Sequence, residues 1–239
     1  GAVLGVCMVR YEMSPSVAVV ACVCVGLACG LANGLVTVGW GLPSFIVTLG
    51  MLEIARGGAY LVANSQTQYI GGSIGELARP VALGLSQPFF IALAIVAVGQ
   101  FVLSRTVLGR YMIAIGTNEE AVRLSGIDPR PVKLAVFSLC GLLSGLAAVF
   151  QTARFEASDP NAGIGAELQA IAAVVIGGTS LMGGRGSVVN SFFGVVIIAV
   201  LSAGLAQMGA QEPTKRLITG CVIVAAVVLD HYRCRLWKA

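Results

Sequence analysis

Charged residues divide this chain into long apolar stretches. Six stretches lack Asp, Glu, Lys and Arg and together make up most of the sequence: residues 13–52, 80–104, 134–153, 168–184, 186–211 and 217–229. A membrane helix needs about 20 apolar residues to cross a hydrocarbon core of roughly 30 Å. Several stretches reach that length, and the first is long enough to start two crossings. The pattern therefore predicts an all-α, polytopic transmembrane helical bundle.

The limits of the apolar stretches predict about seven full spans. These are residues 16–38, 44–62, 81–103, 134–152, 168–182, 188–206 and 215–230. The segment 168–182 is short, so a broken or tilted helix is expected there. Residues 1–9 are typical of the end of another membrane helix, since they open on an apolar run without a Met or a basic segment. Residues 1–239 are thus expected to form one transmembrane domain that is incomplete at its N-terminus.

Basic residues predict which loops face the cytoplasm, because positively charged loops stay on that side. The most hydrophilic segment, 104–133, is expected inside, as is the C-terminal tail that carries Arg233, Arg235 and Lys238. The acidic segment 153–167 is expected outside. The polar, Gly-rich residues 63–80 are expected to form a loop or a partly re-entrant segment.

Composition argues against an enzyme, a metal protein or a nucleic-acid binder. Hydrophobic residues make up 57% of the chain and charged residues 11%, and the net charge is only +4. His231 is the single histidine, and neither a GxSxG nor an HExxH pattern is present. We therefore expect no catalytic residue, no metal site and no cofactor, with the lipid bilayer as a partner and nucleic acid excluded.

Two helix faces are built from small residues. Gly26, Gly30 and Gly34 recur every four residues in one predicted span, and Gly141 and Gly145 do so in another. Small residues at this spacing let membrane helices approach closely. A flexible, poorly packed helix is the alternative.

Glu53 and Arg56 are charged residues inside the predicted span 44–62. Their spacing of three places them on one helix face, where they can pair. Charges inside a span are costly and usually face the protein interior or a wet cavity. A structural pair that locks two helices is favoured over contact with a substrate.

The segment 104–133 contains a short helix with clear end signals. Asn118 is a suitable N-cap, Glu119 and Glu120 complement the helix dipole, and Gly126 and Pro129 are typical of its end. Ala121, Leu124 and Ser125 share a small, partly apolar face. The residues alone leave two interpretations open, a helix that docks in a partner's groove and a solvated connector.

A glycine-rich segment follows the predicted short span. It resembles a phosphate-binding loop only superficially, because the Lys that should follow the second Gly is missing. A hinge that interrupts a membrane helix near a cavity is favoured. The candidate pathway or hinge residues are Gly177, Gly178, Thr179, Ser180, Gly183 and Gly184.

At these segments the chain resembles the permease subunit of ribose-type sugar ABC importers. The matching text covers most of residues 42–230 in the expected order. It runs through Leu42-Pro43-Ser44-Phe45-Ile46-Val47-Thr48-Leu49-Gly50-Met51, Leu108-Gly109-Arg110-Tyr111, Asn118-Glu119-Glu120-Ala121, Asp159-Pro160-Asn161-Ala162-Gly163, Gly177-Gly178-Thr179-Ser180-Leu181 and Gly183-Gly184-Arg185-Gly186-Ser187. Thr117 and Asn190 stand where Gly is common in this family, and the resemblance implies that roughly two upstream spans precede the region seen here.

The resemblance implies a membrane domain of the type II ABC importer kind in a bacterial inner membrane. Its implied partners are a second permease subunit, identical or paralogous, cytoplasmic ATP-binding subunits that hydrolyse ATP, and a periplasmic sugar-binding protein that delivers a monosaccharide such as ribose. It also implies that 104–133 is a coupling loop that docks on the ATPase. The coupling residues are then Gly116, Asn118, Glu119, Glu120, Ala121, Arg123, Leu124, Ser125 and Gly126.

Three alternatives remain at this point. The solute can instead be another sugar, a nucleoside or a branched-chain amino acid. An ion-coupled secondary transporter prefers ionisable residues deep in several spans, and only Glu53 and Arg56 qualify. The third alternative is a nonfunctional fragment.

Overall fold

The computed structural model describes residues 1–78, 80–82, 84–180, 183–211, 213–215 and 217–222, and α-helices dominate this part of the chain. The helices are α1 Ala2–Val9, α2 Pro15–Trp40, α3 Ser44–Val62, α4 Gln87–Arg105, α5 Val107–Thr117, α6 Glu119–Leu124, α7 Arg130–Phe155, α8 Ala166–Ile176 and α9 Val188–Gln207. Short strands are β1 Gln68–Tyr69, β2 Pro80–Ala82, β3 Leu85–Ser86 and β4 Ala157–Ser158.

Five of these helices, α2, α3, α4, α7 and α9, are long and apolar enough to cross a membrane. This confirms the predicted helical membrane bundle. Helix α8 has only 11 residues and ends at Ile176, in keeping with the short helix predicted for 168–182. Of the last predicted span, 215–230, residues 217–222 are helical, and 223–230 lie outside the described residues.

The predicted start of the third span was wrong. We expected a helix from residue 81, but α4 begins at Gln87 because β2 and β3 first pair as an antiparallel hairpin. Gly84 lies in the turn with a φ of +75°, a conformation that glycine adopts without a steric penalty. Most residues of this hairpin are apolar, so the apolar stretch begins before the helix does.

The segment 104–133 holds two helices rather than one. Helix α5 was not predicted, although Thr106 gives it an N-cap by accepting the N–H of Gly109 at 3.2 Å. Pro129 lies beyond the end of α6, as expected, and it also directly precedes α7, where Asp128 accepts the N–H of Arg130 at 3.0 Å. Proline suits this position, since a helix's first N–H groups lack intrahelical partners.

The chain divides into two compact units. The first comprises residues 1–92 and 128–162, and the second begins with residues 93–127 and resumes at Gly163. The core cluster of the first unit consists of Leu4, Ala18, Cys22, Ile74, Val149 and Ala153. The core cluster of the second unit consists of Ala172, Ala173 and Ile198. Both cores are small, because lipid rather than protein covers most apolar side chains of membrane helices.

Helices α2 and α7 pack through their small-residue faces, as predicted. A Cβ added at Gly26 would lie 2.5 Å from the carbonyl oxygen of Gly141, and one added at Gly145 would lie 2.9 Å from Cα of Val23. Cβ atoms are not found so close to backbone, so these positions require glycine. The two helices therefore touch backbone to backbone, the close approach that small residues permit in membranes.

Candidate functional site

Helix α6 has the ends that the sequence predicts. Asn118 Oδ1 accepts the N–H of Ala121 at 3.0 Å, and Glu119 and Glu120 occupy the first turn. These carboxylates lie at the positive end of the helix dipole and stabilise it. At the other end Gly126 adopts a φ of +86°, which favours glycine. A helix of six residues is too short to persist alone, so these caps contribute much of its order.

The outer face of α6 is open. Val122 is buried, whereas Leu124 is 84% exposed. Ala121 and Ser125, which share the face of Leu124, are exposed as well. A large apolar side chain on a capped helix, surrounded by small and charged neighbours, is the pattern of a helix that docks in a groove.

The C-terminal end of α5 touches the glycine-rich segment. A Cβ at Gly116 would lie 2.7 Å from the backbone nitrogen of Gly184, and one at Gly183 would lie 2.5 Å from the carbonyl oxygen of Gly116. A Cβ at Gly184 would meet Thr117 Oγ1 at 2.5 Å. We call the contact of Gly116, Gly183 and Gly184 the glycine joint. Since α6 begins two residues after Thr117, the joint connects the predicted coupling residues to the predicted hinge.

The predicted hinge residues follow the end of α8 at Ile176 and precede the start of α9 at Val188. Gly177 ends α8 and packs so tightly on α9 that an added Cβ would lie 2.5 Å from the carbonyl oxygen of Asn190. The hydroxyls of Thr179 and Ser191 are 3.1 Å apart. Ser180 donates its N–H to the carbonyl of Arg185 at 3.0 Å, which closes the loop between α8 and α9. Gly178, Gly183 and Gly184 all have φ values between +74° and +85°.

Gln100, on α4, was not identified from the sequence. Its Oε1 accepts hydrogen bonds from Ser187 Oγ at 3.2 Å and from the backbone N–H groups of Val188 at 3.0 Å and Val189 at 3.3 Å. The first N–H groups of a helix have no intrahelical partner, and no water is present in a bilayer core to satisfy them. Gln100 therefore fixes the start of α9 to α4. Its signal in the sequence is an amide within an otherwise apolar run.

Glu53 and Arg56 lie on α3 and form an ion pair of 3.9 Å. The Arg56 side chain is 28% exposed and that of Glu53 is 75% exposed. The pairing within one helix face agrees with the spacing of three residues, and the expected lock between two helices stays a prediction. Among the described residues, no group of three or more His, Cys, Asp or Glu side chains has the arrangement of a metal site.

A known permease family matches nearly the whole chain. The family described as the permease component of branched-chain amino acid transport systems matches residues 1–227. The chain belongs to this permease family. The ribose import permease protein of Escherichia coli (strain K12) is 38% identical over 232 residues, which is 94% of this chain and 71% of the relative. No solved structure matches the chain.

Other relatives of the permease are also named for sugars. The fructose import permease protein of Rhizobium meliloti is 34% identical and covers 96% of this chain and 66% of its own length. The L-arabinose ABC transporter permease protein of Azospirillum brasilense is 34% identical and covers 87% of this chain and 62% of its own length. These relatives confirm the predicted resemblance to ribose-type permeases.

Family membership makes the permease a transport subunit and not an enzyme. Its five long apolar helices make it a multi-pass membrane protein. The coupling and hinge residues are not tested by these comparisons and stay predictions.

Replacing Gln100 by leucine is expected to destabilise the permease. Leucine has a similar size but no acceptor, so N–H groups at the start of α9 lose their partner, at a cost of about 1–3 kcal/mol for each buried group left unsatisfied. The thermal midpoint in detergent measures the effect. Gln169→Leu makes the same change at an exposed position of α8 and is the control. Equal midpoints for the two variants would contradict the role of Gln100.

Proposed function

We propose that this permease forms the translocation pathway of an ATP-driven importer for a monosaccharide such as ribose. The relatives named for ribose, fructose and L-arabinose import support the sugar class. A relative of Escherichia coli (strain K12) named for D-allose transport supports it further. The family description names branched-chain amino acids instead, but the individual relatives favour a sugar.

An ATP-driven transporter is favoured over an ion-coupled one. Ion-coupled carriers place ionisable side chains in several spans to bind the coupling ion. In the described long helices, Glu53 and Arg56 are the charged residues away from the helix ends, and both lie on α3. The small number of charged residues within the long helices supports a transporter that is driven by a separate ATP-binding subunit.

The proposed assembly lies in a bacterial inner membrane. It pairs the permease with a second permease subunit, identical or paralogous, and with two cytoplasmic ATP-binding subunits. A periplasmic sugar-binding protein delivers the solute. In this assembly residues 104–133 are the cytoplasmic coupling loop, and ATP is bound and hydrolysed on the partner.

The single observation that carries the proposal is the capped, exposed helix α6, which directly follows the glycine joint in the chain. In the proposed mechanism α6 docks in a groove of the ATP-binding subunit with Leu124 as its apolar anchor. Closure of the ATP-binding subunits displaces α6, and the backbone contact at the joint carries that movement to the hinge at 177–187. The segment between α8 and α9 then moves, and the central cavity of the transporter opens to the other side of the membrane.

Co-purification tests the assembly. The tagged permease, extracted in mild detergent, is expected to retain an ATP-binding subunit that mass spectrometry identifies. The assembled complex in liposomes, loaded with the binding protein, is then expected to take up a pentose or hexose only when ATP is supplied. Uptake without ATP, or folded permease that retains no ATPase, would contradict the proposal.

Changing Leu124 to aspartate is expected to release the ATP-binding subunit. A charge replaces the apolar anchor at the centre of the docking face, and a central anchor typically contributes about 2 kcal/mol or more to an interface. Co-purified ATPase and sugar uptake should each fall at least about tenfold, because 1.4 kcal/mol corresponds to a factor of ten. Met208→Asp, at a similarly exposed apolar residue that follows α9, is the control. Undiminished ATPase recovery with Leu124→Asp would contradict docking by α6.

A further inference from the structure

The contact between α2 and α7 continues past its central glycines toward the start of α7. Gly26 faces Gly141 and Gly34 faces Leu134, so the two helices run antiparallel. Thr37 follows Gly26 by about three helical turns and therefore shares its face of α2. Thr37 is only 7% exposed, so this end of the contact is closed as well.

Two polar groups at this end have no hydrogen-bond partner. Asn33 Oδ1 and Thr37 Oγ1 are closed off from solvent and lack a partner among the described residues. A buried polar atom without a partner costs free energy, and the interior of a bilayer offers no water to supply one. Because residues of the chain already seal both atoms, water or a polar group reaches them only if the contact opens.

Other hydroxyls in the described helices show that Thr37 is unusual. A Ser or Thr within a helix commonly donates its hydroxyl to a carbonyl one turn earlier. Such bonds, of 2.7 to 3.0 Å, are made by Ser104, Thr117, Ser138, Ser144 and Ser191. Thr37 makes no such bond to the carbonyl of Asn33. The burial of its hydroxyl is therefore not compensated within its own helix.

The two ends of the α2–α7 contact thus favour different states. The end around Gly26, Gly141 and Gly145 packs backbone on backbone, and separating it would lose that close packing. The end at Asn33 and Thr37 gains hydrogen bonds when it separates, because both oxygens then meet water or polar groups. This distribution favours opening at one end, with the glycine end as the pivot.

The end that can open lies next to the proposed coupling loop. Helix α7 begins at Arg130, inside segment 104–133, and Leu134 is the first residue after that segment. Asp128 accepts the N–H of Arg130 at 3.0 Å, which ties the start of α7 to the loop. A displacement of the loop therefore acts first on the end of α7 that packs against Gly34.

We propose that the α2–α7 contact opens at its Asn33–Thr37 end during the transport cycle, pivots about its glycine end, and is eased open by these two unpaired oxygens. The inference rests on the proposed function for the cycle that drives the opening. It assigns a positioning role to Asn33 and Thr37, which belong neither to the coupling loop nor to the hinge segment.

Thr37→Val tests the energetic part of the proposal. Valine has the shape of threonine without the hydroxyl, so the closed contact loses an unpaired group and becomes more stable. The thermal midpoint of the permease in detergent should rise by at least about 2 °C. Sugar uptake by the assembled transporter should fall about tenfold, since removing one unpaired group shifts the balance from open to closed contact by about that factor.

Thr48→Val is the matched control, because Thr48 is also helical but donates its hydroxyl to the carbonyl of Phe45 at 3.0 Å. It should not raise the midpoint. Thr37→Ser keeps the hydroxyl and should retain uptake. A lower midpoint in Thr37→Val would show that the hydroxyl has a partner in the closed contact. A higher midpoint with normal uptake would show that the unpaired oxygen plays no part in transport, and either result would overturn the proposal.

A disulfide tests the movement itself. A Cβ at Gly34 would lie 3.2 Å from Cβ of Phe137, close to the roughly 3.5–4.5 Å that separates these atoms in a disulfide. In a background with the native cysteines replaced, Gly34→Cys combined with Phe137→Cys should therefore cross-link when the assembled transporter is oxidised. The cross-link should abolish uptake, and reduction with dithiothreitol should restore it.

The reduced double variant is the control, since it carries the same substitutions. Failure of the disulfide to form, with or without ATP, would contradict the closed contact from which the proposal starts. The thermal midpoint requires neither ATP nor sugar, so a raised midpoint in a transporter that carries no sugar would refute the proposed function alone. Normal sugar uptake with the disulfide formed would refute the opening alone.

Discussion

Replacing Gly141 by isoleucine is expected to separate α2 from α7 and to remove most of the folded permease. A Cβ at this position would lie 2.8 Å from Cα of Gly30 and 2.9 Å from its nitrogen, so any side chain meets backbone. Backbone cannot rotate away as a side chain can, and the two helices would have to move apart along the length of their contact. Overpacking of this kind costs about 3 kcal/mol. Size-exclusion chromatography of detergent extracts measures the folded fraction.

Gly204→Ile is the matched control for this prediction. Gly204 also lies within an apolar helix, α9, but a Cβ there would meet nothing within 4 Å. Both variants add the same apolar, β-branched side chain to an apolar helix, and only the contact with a neighbouring backbone differs. A Gly141→Ile protein that elutes like the Gly204→Ile protein would show that α2 and α7 do not depend on this contact.

Much of the bundle follows from the sequence because its signals are local. Helix α3 begins and ends within the predicted span 44–62, since Pro43 precedes it and polar residues follow it. Helix α9 agrees with 188–206 within one residue. The N-cap of α6 was predictable for the same reason, because Asn118 and the residues that it caps are neighbours in sequence.

Other features were missed because hydropathy carries no information on hydrogen bonding. The hairpin at 80–86 is as apolar as the helix that follows it, so the start of α4 was placed too early. Helix α5 was hidden by the basic residues of its segment, including Arg110. A bond such as that from Val188 to Gln100 joins residues 88 positions apart, and only the tertiary structure brings them together.

The sequence predicted the residues of the glycine joint but not their contact. Gly116, Gly183 and Gly184 were each singled out from the sequence, but for separate roles in a coupling loop and a hinge. Their contact was not predictable, because a glycine that touches backbone has the same sequence signal as a glycine in a turn. The contact matters more than the separate roles, since it connects the end of α5, which leads directly into the proposed docking helix, to the segment that follows α8.

Replacing Gly116 by valine is accordingly expected to uncouple ATP hydrolysis from uptake. A Cβ at Gly116 would lie 2.7 Å from the nitrogen of Gly184, so the side chain forces the turn at 183–184 away from the C-terminal end of α5. The docking face around Leu124 is untouched, and the ATP-binding subunit should remain bound and active. Sugar uptake per ATP hydrolysed should fall at least about tenfold, which corresponds to only 1.4 kcal/mol of lost coupling energy.

Gly39→Val is the matched control, since Gly39 is also helical and a Cβ there would meet nothing within 4 Å. Thr117→Val provides a second, milder test. Thr117 contacts Gly184 through its side chain, and valine replaces that side chain with one of the same shape. If the joint transmits movement, Gly116→Val lowers uptake per ATP strongly and Thr117→Val less, with ATPase recovery unchanged in both. If uptake and hydrolysis fall together in folded Gly116→Val complexes, the joint instead supports the docking of α6. Equal coupling in Gly116→Val and Gly39→Val would mean that the movement reaches the hinge by another route.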